Sequence, residues 1–295
     1  MNKQTRPLFK ALTIAGSDSI GGAGIQADMK TIAALGGYAA TAITALTAQN
    51  TLGVHAVYEI PASFVARQID AVVSDTGADI VKTGMLYSKD IIETVASRLK
   101  HYALSPVVVD PVMLSKNGAA LLAEDAIPAL ISQLFPLSFI VTPNIPEAAH
   151  ISGVKIQNIS DAEKAAKYIH KLGPANVLIK GGHALHSSDI KSSNAVIDIL
   201  YTGKSFAYIE GEYLPAKHVH GTGCVYASAI AAYLAKGCGI AEAVRQAKKF
   251  VVLCIKKSFS PGRGYDVMEP FSTFFGKIFN GEIRNSKFEI RNKSE

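Results

Sequence analysis

The residues His218-Val-His-Gly-Thr-Gly-Cys-Val-Tyr-Ala-Ser-Ala-Ile-Ala-Ala-Tyr-Leu-Ala-Lys236 predict a loop that turns into a helix. The first N–H groups of a helix lack partners and carry a partial positive charge, so a helix start attracts an anion. Gly221 and Gly223 have no Cβ and would let a phosphate approach the backbone. Thr222 could cap the helix or bind the anion itself. The stretch therefore predicts an anion-binding helix start.

Cys224 stands in the first turn of this predicted helix, where the dipole favours thiolate over thiol. The residues that follow are mostly small, which would let the helix pack closely on a sheet. The alternative is a Gly-rich connection followed by a structural cysteine, because free Cys is often buried. The motif by itself leaves both interpretations open.

The composition fits one large α/β domain or two small ones. The chain has 295 residues, of which 48% are hydrophobic, enough to bury a full core. No apolar run approaches the roughly 20 residues that span a bilayer, and the first ten residues lack a signal-peptide hydrophobic region. The three cysteines have no metal-ligand spacing, so disulfides and structural zinc are not expected. These features predict a cytoplasmic protein without a membrane partner.

The formal net charge of +6 lies mainly at the two ends of the chain. Residues 1–10 contain Lys3, Arg6 and Lys10 and no acidic residue, and residues 276–295 are also basic on balance. A nucleic-acid-binding protein would normally carry a basic stripe on its folded part. We therefore expect no nucleic-acid partner.

Apolar strand patterns alternate with helical patterns along most of the chain, which predicts a doubly wound, mostly parallel sheet with helices on both faces. No Pro- or Ser-rich linker divides it. We predict a polar extension over residues 1–10, one domain over residues 11–271 and a tail over residues 272–295. The Phe-rich start of the tail is expected to dock on the domain. Predicted strands cover 11–15, 38–46, 54–60, 78–82, 107–109, 139–141, 177–179, 195–201 and 206–213, and predicted helices include 24–36, 61–74, 88–101, 124–134, 161–172 and 240–258.

The loop after the first strand is Gly16-Ser-Asp-Ser-Ile-Gly-Gly-Ala-Gly24. Gly16 and Gly21 have the separation of a Walker A loop, but Gly22 stands where its phosphate-binding Lys must be. The loop is therefore not expected to cradle a triphosphate. It more plausibly closes over another ligand.

Unusual polar residues recur where the predicted strands end, which is where ligands bind in such sheets. They are Asp18, Gln49, Lys82, Asp110, Asn144, Glu147, Lys180 and Cys224. Each has a structural alternative: Asp18 as a turn residue, Asp110 as a cap, Asn144 and Glu147 as a helix cap and first-turn acid, Lys180 as a solvated strand end. Their recurrence at one edge favours a shared site.

Together these residues indicate phosphoryl transfer. Gly221, Thr222 and Gly223 would hold the transferring group, and Lys180 would neutralise nucleotide phosphates. Oxygen ligands from Asp110, Asn144 and Glu147 would suit an octahedral Mg²⁺. Cys224 would take the proton from the attacking hydroxyl, with catalysis mainly by positioning and electrostatics.

Seven ordered motifs resemble the hydroxymethylpyrimidine/phosphomethylpyrimidine kinases of thiamine biosynthesis, over about residues 10–270. The motifs are Gly16-Ser-Asp with Gly-Gly-Ala-Gly-Ile-Gln-Ala-Asp28, Thr44-Ala-Leu-Thr-Ala-Gln-Asn50, Lys82-Thr-Gly-Met85, Asp110-Pro-Val-Met113, Thr142-Pro-Asn-Ile-Pro-Glu-Ala148, Lys180-Gly-Gly-His183 and His220-Gly-Thr-Gly-Cys224. The resemblance implies a ribokinase-like fold and ATP-dependent phosphorylation of a hydroxymethyl group. It also implies a small-molecule pyrimidine substrate and is compatible with a homodimer.

The resemblance also implies roles for individual residues. Gln49 would bond the aminopyrimidine edge. The residues expected near the ring are Gly16, Asp28, Val54 and Met85. Asp110, Asn144 and Glu147 would organise Mg²⁺, Lys180 would bind ATP phosphates, and Cys224 would be the base where ribokinase relatives usually carry Asp.

One loop departs from the family, which commonly has Asp-Pro-Ser-Gly-Gly where this chain has Asp18-Ser19-Ile20-Gly21-Gly22.

Two other functions remain open. A pyridoxal or pyridoxine kinase is the nearer alternative, and Gln49 argues against it because pyridoxal lacks the amino edge. A non-catalytic pyrimidine or nucleotide sensor is the other, and it would be expected to have lost base or metal residues that this chain retains.

Overall fold

The structure, a computed structural model, describes residues 9–114, 118, 120–182, 195–214 and 219–271. The strands are β1 (Lys10–Asp18), β2 (Tyr38–Asn50), β3 (Gly53–Glu59), β4 (Ile80–Thr83), β5 (Val107–Val109), β6 (Ile140–Val141), β7 (Val177–Ile179), β8 (Ala195–Tyr201), β9 (Phe206–Glu212), β10 (Val219–His220) and β11 (Asp266–Val267). The α-helices are α1 (Gly24–Ala34), α2 (Ala62–Asp75), α3 (Lys89–His101), α4 (Ile127–Ala129), α5 (Ile145–Ser152), α6 (Ile159–Lys171), α7 (Thr222–Ala235) and α8 (Ile240–Lys256).

A nine-stranded sheet forms the centre, in the order β3-β2-β1-β4-β5-β6-β7-β8-β9. The six neighbouring strands β2, β1, β4, β5, β6 and β7 pair in parallel. Antiparallel pairing adds β3 at one edge and β8 and β9 at the other. Helices α2 to α6 cover one face, and α1, α7 and α8 cover the other. The predicted doubly wound, ribokinase-like sheet is confirmed.

The central strands are short and apolar because both of their faces are covered. All three residues of β5 and of β7 are buried. Helix α7 is buried continuously from Val225 to Ala232, since it lies between the sheet and its neighbours α1 and α8. This packing holds the N-terminus of α7 firmly at one edge of the sheet.

The order in which strands are added to the sheet reverses at β1, which pairs with β2 on one side and β4 on the other. At such a point the loops after neighbouring strands diverge and leave a crevice beyond the carboxyl ends. The crevice in this protein therefore lies at the ends of β1 and β4. It continues toward β5, β6 and β7.

Several predicted element bounds were wrong. Phe9 is buried and Lys10 begins β1, so these two residues belong to the domain and not to the extension. Strand β1 continues through Asp18, and β2 runs on to Asn50, so Gln49 lies within a strand and pairs with Val54.

The predicted helix over 124–134 is also wrong as a single helix, since it is a chain of 3₁₀, α and π turns. Pro128 has no N–H to donate to the Glu124 carbonyl, and the Ser132 hydroxyl donates to the Pro128 carbonyl at 2.8 Å. Helix α6 begins at Ile159, earlier than the predicted start at 161, because Asn158 caps it: Asn158 Oδ1 accepts from Asp161 N at 3.0 Å.

The predicted tail over residues 272–295 lies outside the described residues, and so does the expected docking of Phe274, Phe275 and Phe279. Within the ranges described above, none of the helices combines the length and apolar character that a membrane crossing requires.

Candidate active site

A cavity of about 850 Å³ opens at the carboxyl ends of the parallel strands. It is lined by residues that follow five different strands and by the start of α7. Among its walls are Gly16, Asp18, Gln49, Val54, Lys82, Met85, Asp110, Asn144, Glu147, Lys180, His220 and the run from Gly221 to Cys224. Of the predicted site residues, Asp28 alone does not line it.

The start of α7 meets the loop after β1 at one wall of the cavity. Gly221 precedes the helix with φ 80°, a left-handed conformation that favours glycine. A Cβ on Gly221 would lie 1.9 Å from the carbonyl oxygen of Gly22. The two glycine-rich loops thus touch through their backbones, which keeps the N–H groups of the first turn open to an anion.

Thr222 is the first residue of α7, and its side chain makes no capping hydrogen bond. The prediction that it caps the helix is wrong, because Gly221 occupies the cap position. Thr222 does line the cavity, so its hydroxyl remains available to a bound anion.

Cys224 lines the same wall, but its ionisation differs from the prediction. Burial raises the pKa of Cys224 to about 11, and the nearby ammonium of Lys82 only partly offsets that effect. The helix N-terminus therefore does not by itself produce a thiolate. In the ligand-free protein Cys224 is a thiol at neutral pH.

The reactivity of Cys224 should follow this raised pKa. Since the thiolate is the nucleophile, we expect alkylation by iodoacetamide to be slow at neutral pH and to rise about tenfold per pH unit up to about pH 10. Mass spectrometry of the modified peptide measures the rate, with Cys224→Ala as the blank. A plateau reached below pH 8 would contradict the assigned environment.

Lys180, after β7, and Asp110, after β5, form an ion pair across the end of β6. Lys180 Nζ donates to Asp110 Oδ1 at 2.7 Å, and the Thr142 hydroxyl donates to the same oxygen at 3.0 Å. Burial lowers the pKa of Lys180, but the carboxylates of Asp110 and Glu147 outweigh it, so the net shift is upward. Lys180 is therefore a firmly charged group at the cavity.

The space beside this ion pair is kept open by Gly223. A Cβ there would lie 3.3 Å from Lys180 Nζ and 3.5 Å from Asp110 Oδ2. Any larger residue would therefore fill the room between the helix start and the two charged groups. The opening suits phosphate oxygens and a small cation between them.

Asn144 and Glu147 form a capping box at the start of α5, a helix that the sequence analysis did not assign. Asn144 Oδ1 accepts from Glu147 N at 2.9 Å, and Glu147 Oε2 accepts from Asn144 N at 2.8 Å. The cap alternative is therefore confirmed for this pair. Asn144 Oδ1 is engaged in the cap, which weakens its expected role as a metal ligand.

Glu147 has an unusual protonation equilibrium for a capping residue. Burial raises the pKa of Glu147 to about 7, and the nearby Lys180 ammonium opposes that rise. A cation bound beside Glu147 would favour the carboxylate. Within the described part of the chain, no three His, Cys, Asp or Glu side chains gather closely enough to hold a metal ion alone.

Asp28 was expected near a substrate ring, and the structure contradicts that position. Its side chain is fully buried, and Lys82 Nζ donates to its two oxygens at 2.9 and 2.8 Å. Thr13 and Ser228 also donate to Asp28, at 2.5 and 2.7 Å. Its place in a packed core between β1, β4 and α7 leaves no surface for a ligand.

Of the buried Lys82–Asp28 pair, Lys82 lines the cavity and Asp28 does not. Its ammonium is close enough to Cys224 and Asp110 to interact with both electrostatically, and the carboxylates around it raise its pKa despite the burial that lowers it. Ser228 lies one helical turn after Cys224 on α7, so the pair supports the turn that carries the thiol.

Four more of the predicted residues line the cavity: Gln49, Gly16, Val54 and Met85. Gln49 extends from β2 beside Val54 of β3, and both line the cavity. A Cβ on Gly16 would lie 2.9 Å from Met85 Sδ, so those two residues are in close contact. The structure thus places all four predicted residues in the wall of one cavity, and the Gln49 carboxamide is the polar side chain among them.

His220 is a site residue that the sequence analysis quoted but gave no role. Its Nε2 lies 2.9 Å from a terminal atom of the Gln49 carboxamide and 3.1 Å from Asp18 Oδ2. Burial raises the pKa of Asp18. The hydrogen bond with His220 and the bonds from the loop backbone lower the pKa by more than burial raises it, so the net shift is downward. The signal available in the sequence was a histidine directly before Gly221.

Asp198 is a second residue that the sequence analysis missed. It accepts from Gly181 N at 2.9 Å, from the Tyr226 hydroxyl at 2.9 Å and from Lys248 Nζ at 2.7 Å. These contacts join the backbone after Lys180 to helices α7 and α8. An aspartate within the apolar strand Ala195–Tyr201 was the available signal.

Comparison with known proteins identifies the family. The family described as phosphomethylpyrimidine kinase matches residues 18–269. The chain belongs to the phosphomethylpyrimidine kinase family. It is therefore a phosphotransferase, and its similarity to the relatives below puts it among the kinases of thiamine biosynthesis.

Two curated relatives of this kinase family differ in length. The hydroxymethylpyrimidine/phosphomethylpyrimidine kinase of Bacillus subtilis is 44% identical over 265 residues, which cover 90% of this chain and 96% of that protein. The thiamine biosynthesis bifunctional protein ThiED of Geobacter sulfurreducens is 47% identical over 259 residues. That match covers 88% of this chain but only 51% of the bifunctional protein, so the kinase chain spans about half of its length.

A solved structure of another vitamin kinase has the same fold. The ADP complex of Bacillus subtilis pyridoxal kinase superimposes with a TM-score of 0.81 at 37% identity. The match covers 90% of this chain and 99% of that one. Similarity of fold alone therefore does not separate a pyrimidine kinase from a pyridoxal kinase.

Proposed function

We propose that this chain transfers the γ-phosphoryl group of ATP to 4-amino-5-hydroxymethyl-2-methylpyrimidine and then phosphorylates the monophosphate to the diphosphate. The observation that carries the proposal is the arrangement of one cavity. Its lining combines the glycine-rich start of α7, the Lys180–Asp110 pair and the carboxamide of Gln49.

In the proposed reaction, the backbone N–H groups at Gly221, Thr222 and Gly223 hold the transferring phosphoryl group as its charge shifts. Lys180 neutralises nucleotide phosphates. The substrate hydroxyl oxygen attacks the γ-phosphorus, and the bond from that phosphorus to the ADP oxygen breaks. The hydroxyl proton passes to Cys224 in its thiolate form, so bound substrates must lower the raised pKa of Cys224.

Magnesium fits the oxygen-bearing side of the cavity. Mg²⁺ in kinases is bound by one or two carboxylates together with substrate phosphates rather than by an all-protein cage. Asp110 and Glu147 would hold it beside the open space at Gly223, and the ion would neutralise phosphate charge when bound. Asn144 would act mainly by starting α5, since its side-chain oxygen caps the helix.

The substrate test compares the aminopyrimidine with pyridoxal. A site that pairs with two adjacent polar groups strongly rejects an analogue lacking them, so we expect kcat/KM for the pyrimidine to exceed that for pyridoxal by about 100-fold or more. ADP release, coupled to NADH oxidation, measures both under identical ATP and Mg²⁺ concentrations. Faster turnover of pyridoxal would assign the second kinase function instead.

The same assay tests the third candidate, a non-catalytic sensor. We expect Cys224→Ala to lose most turnover and Cys238→Ala, whose thiol does not line the cavity, to retain it. ADP release that is absent from the natural chain, together with pyrimidine binding unchanged by Cys224→Ala, would favour the sensor. The homodimer expected from the resemblance remains a proposal that light scattering would test.

A further inference from the structure

The carboxamide of Gln49 lies between two hydrogen-bonding side chains that decide which way it faces. One of its terminal atoms lies 3.2 Å from Thr47 Oγ1, and the other lies 2.9 Å from His220 Nε2. The oxygen accepts hydrogen bonds and the nitrogen donates them, so the two orientations have opposite requirements.

Thr47 fixes the first requirement. Its hydroxyl has a single proton, and its oxygen lies 2.9 Å from the carbonyl oxygen of Ser17, which can only accept. Because the Thr47 hydroxyl donates its proton to the Ser17 carbonyl, Thr47 Oγ1 can only accept a hydrogen bond from Gln49. The atom of Gln49 that faces Thr47 is therefore the nitrogen.

His220 independently gives the same orientation. Asp18 Oδ2 lies 3.1 Å from His220 Nε2 and accepts from Gly22 N and Ala23 N at 3.0 and 2.8 Å, as a carboxylate does. An acceptor at that distance requires a proton on Nε2. If the Gln49 nitrogen faced His220 and donated to it, His220 Nε2 would need a lone pair instead of that proton. The Gln49 atom that faces His220 is therefore the oxygen.

We infer that His220, held by Asp18, is a positioning residue that orients Gln49 with Oε1 toward His220 and Nε2 toward Thr47. Packing supports this arrangement, because a Cβ on Gly22 would lie 3.0 Å from the His220 ring at Cδ2. Where the family commonly has proline, this chain has Ser19, and the Ser19 hydroxyl donates to the Thr47 carbonyl. A proline side chain could not make this contact.

This orientation has a consequence for the substrate, which rests on the proposed function. The exocyclic amino group would donate to Oε1, and the adjacent ring nitrogen would accept from Nε2. On the pyrimidine the hydroxymethyl carbon follows the amino carbon, on the side away from that nitrogen. Because Gly221 follows His220, the reacting hydroxyl is directed toward the anion-binding start of α7. The opposite amide orientation would direct it away.

Nuclear magnetic resonance tests the orientation without reference to activity. Long-range ¹H–¹⁵N spectra of the full chain, with His220→Gln used to assign the signal, report which ring nitrogen carries a proton. We expect a proton on Nε2 of His220. An Nδ1–H tautomer with bare Nε2 would overturn the inference whatever the enzyme catalyses.

Kinetics test the positioning role. We expect His220→Leu to lower kcat/KM for the pyrimidine about 10- to 100-fold, mainly through KM, while KM for ATP changes less than about twofold. His220→Gln, which keeps a donor at the position of Nε2, should recover most of the loss. Thr47→Val should resemble His220→Leu, and Thr47→Ser should resemble the natural chain.

The outcomes separate this inference from the proposed function. An equal loss toward pyrimidine, pyridoxal and ATP in His220→Leu, without recovery in His220→Gln, would mean a merely structural role and would overturn the inference. Absence of ADP release with the pyrimidine in the natural chain would overturn the proposed function. In that case the tautomer measurement still decides the orientation of Gln49.

Discussion

Replacing Gly221 with alanine is expected to abolish phosphoryl transfer, with kcat/KM reduced by about 100-fold or more, because misplacement of catalytic groups by about 1 Å has effects of that size. The new Cβ would lie 1.9 Å from the Gly22 carbonyl oxygen and 2.9 Å from its carbon. Both loops must then separate, and the helix start moves away from Lys180 and Cys224. ADP release and circular dichroism together measure the effect.

Gly237 provides a matched control at the other end of the same helix. It has φ 86°, close to the 80° of Gly221, but a Cβ there would meet nothing within 4 Å. Gly237→Ala therefore carries the left-handed strain alone, about 1 kcal/mol, and should retain activity. Similar kinetics for the two variants would mean that contact between the loops does not organise the site.

Replacing Lys82 with methionine is expected to lower the free energy of unfolding by about 3–5 kcal/mol, because it leaves the buried carboxylate of Asp28 without its cation. Thr13 and Ser228 would still donate to Asp28, but neither carries a charge. Urea denaturation with linear extrapolation measures the change. Lys89→Met is the surface control, since Lys89 and Glu93 are 3.8 Å apart and about half exposed, and it should cost less than about 1 kcal/mol.

A double variant distinguishes a broken ion pair from a packing defect. Lys82→Met with Asp28→Asn removes both charges, and it keeps one of the two oxygens to which Thr13 and Ser228 donate. The hydroxyl that then faces the amide NH2 group can accept a hydrogen bond from it. We expect it to be more stable than Lys82→Met alone, because no unpaired charge remains buried. If the loss of unfolding free energy in the double variant equalled the sum of the losses in Lys82→Met and Asp28→Asn, the two residues would not be a coupled pair.

The fold was largely predictable because its signal is local. Each apolar strand followed by a glycine or a polar residue marks the carboxyl edge of a parallel sheet, and β5 and β7 were predicted with the bounds that the structure has. The breaks in the predicted helix over 124–134 were less evident. There the hydrophobic pattern is helical, but Pro128 removes a donor that a regular helix needs.

The environment of the site residues was less predictable. The sequence indicated that Cys224 follows a helix start, which favours a thiolate, but burial by distant elements raises its pKa to about 11. Likewise, the capping box of Asn144 and Glu147 was one of two open interpretations. A carboxylate near a helix start can serve a cap or a metal, and only its contacts decide which.

The sequence alone determined most of the order of strands and helices, with α5 missing, as well as the family resemblance and the edge at which the chemistry collects, because these follow from neighbouring residues along the chain. Only the tertiary structure decided that Asp28 is a buried partner of Lys82, 54 positions away, and that His220 meets Asp18 across 202 positions. Hydrogen-bond partners and desolvation depend on what packs from elsewhere in the chain. The tertiary structure therefore assigned Asp28 to the core and gave His220 its position beside Gln49.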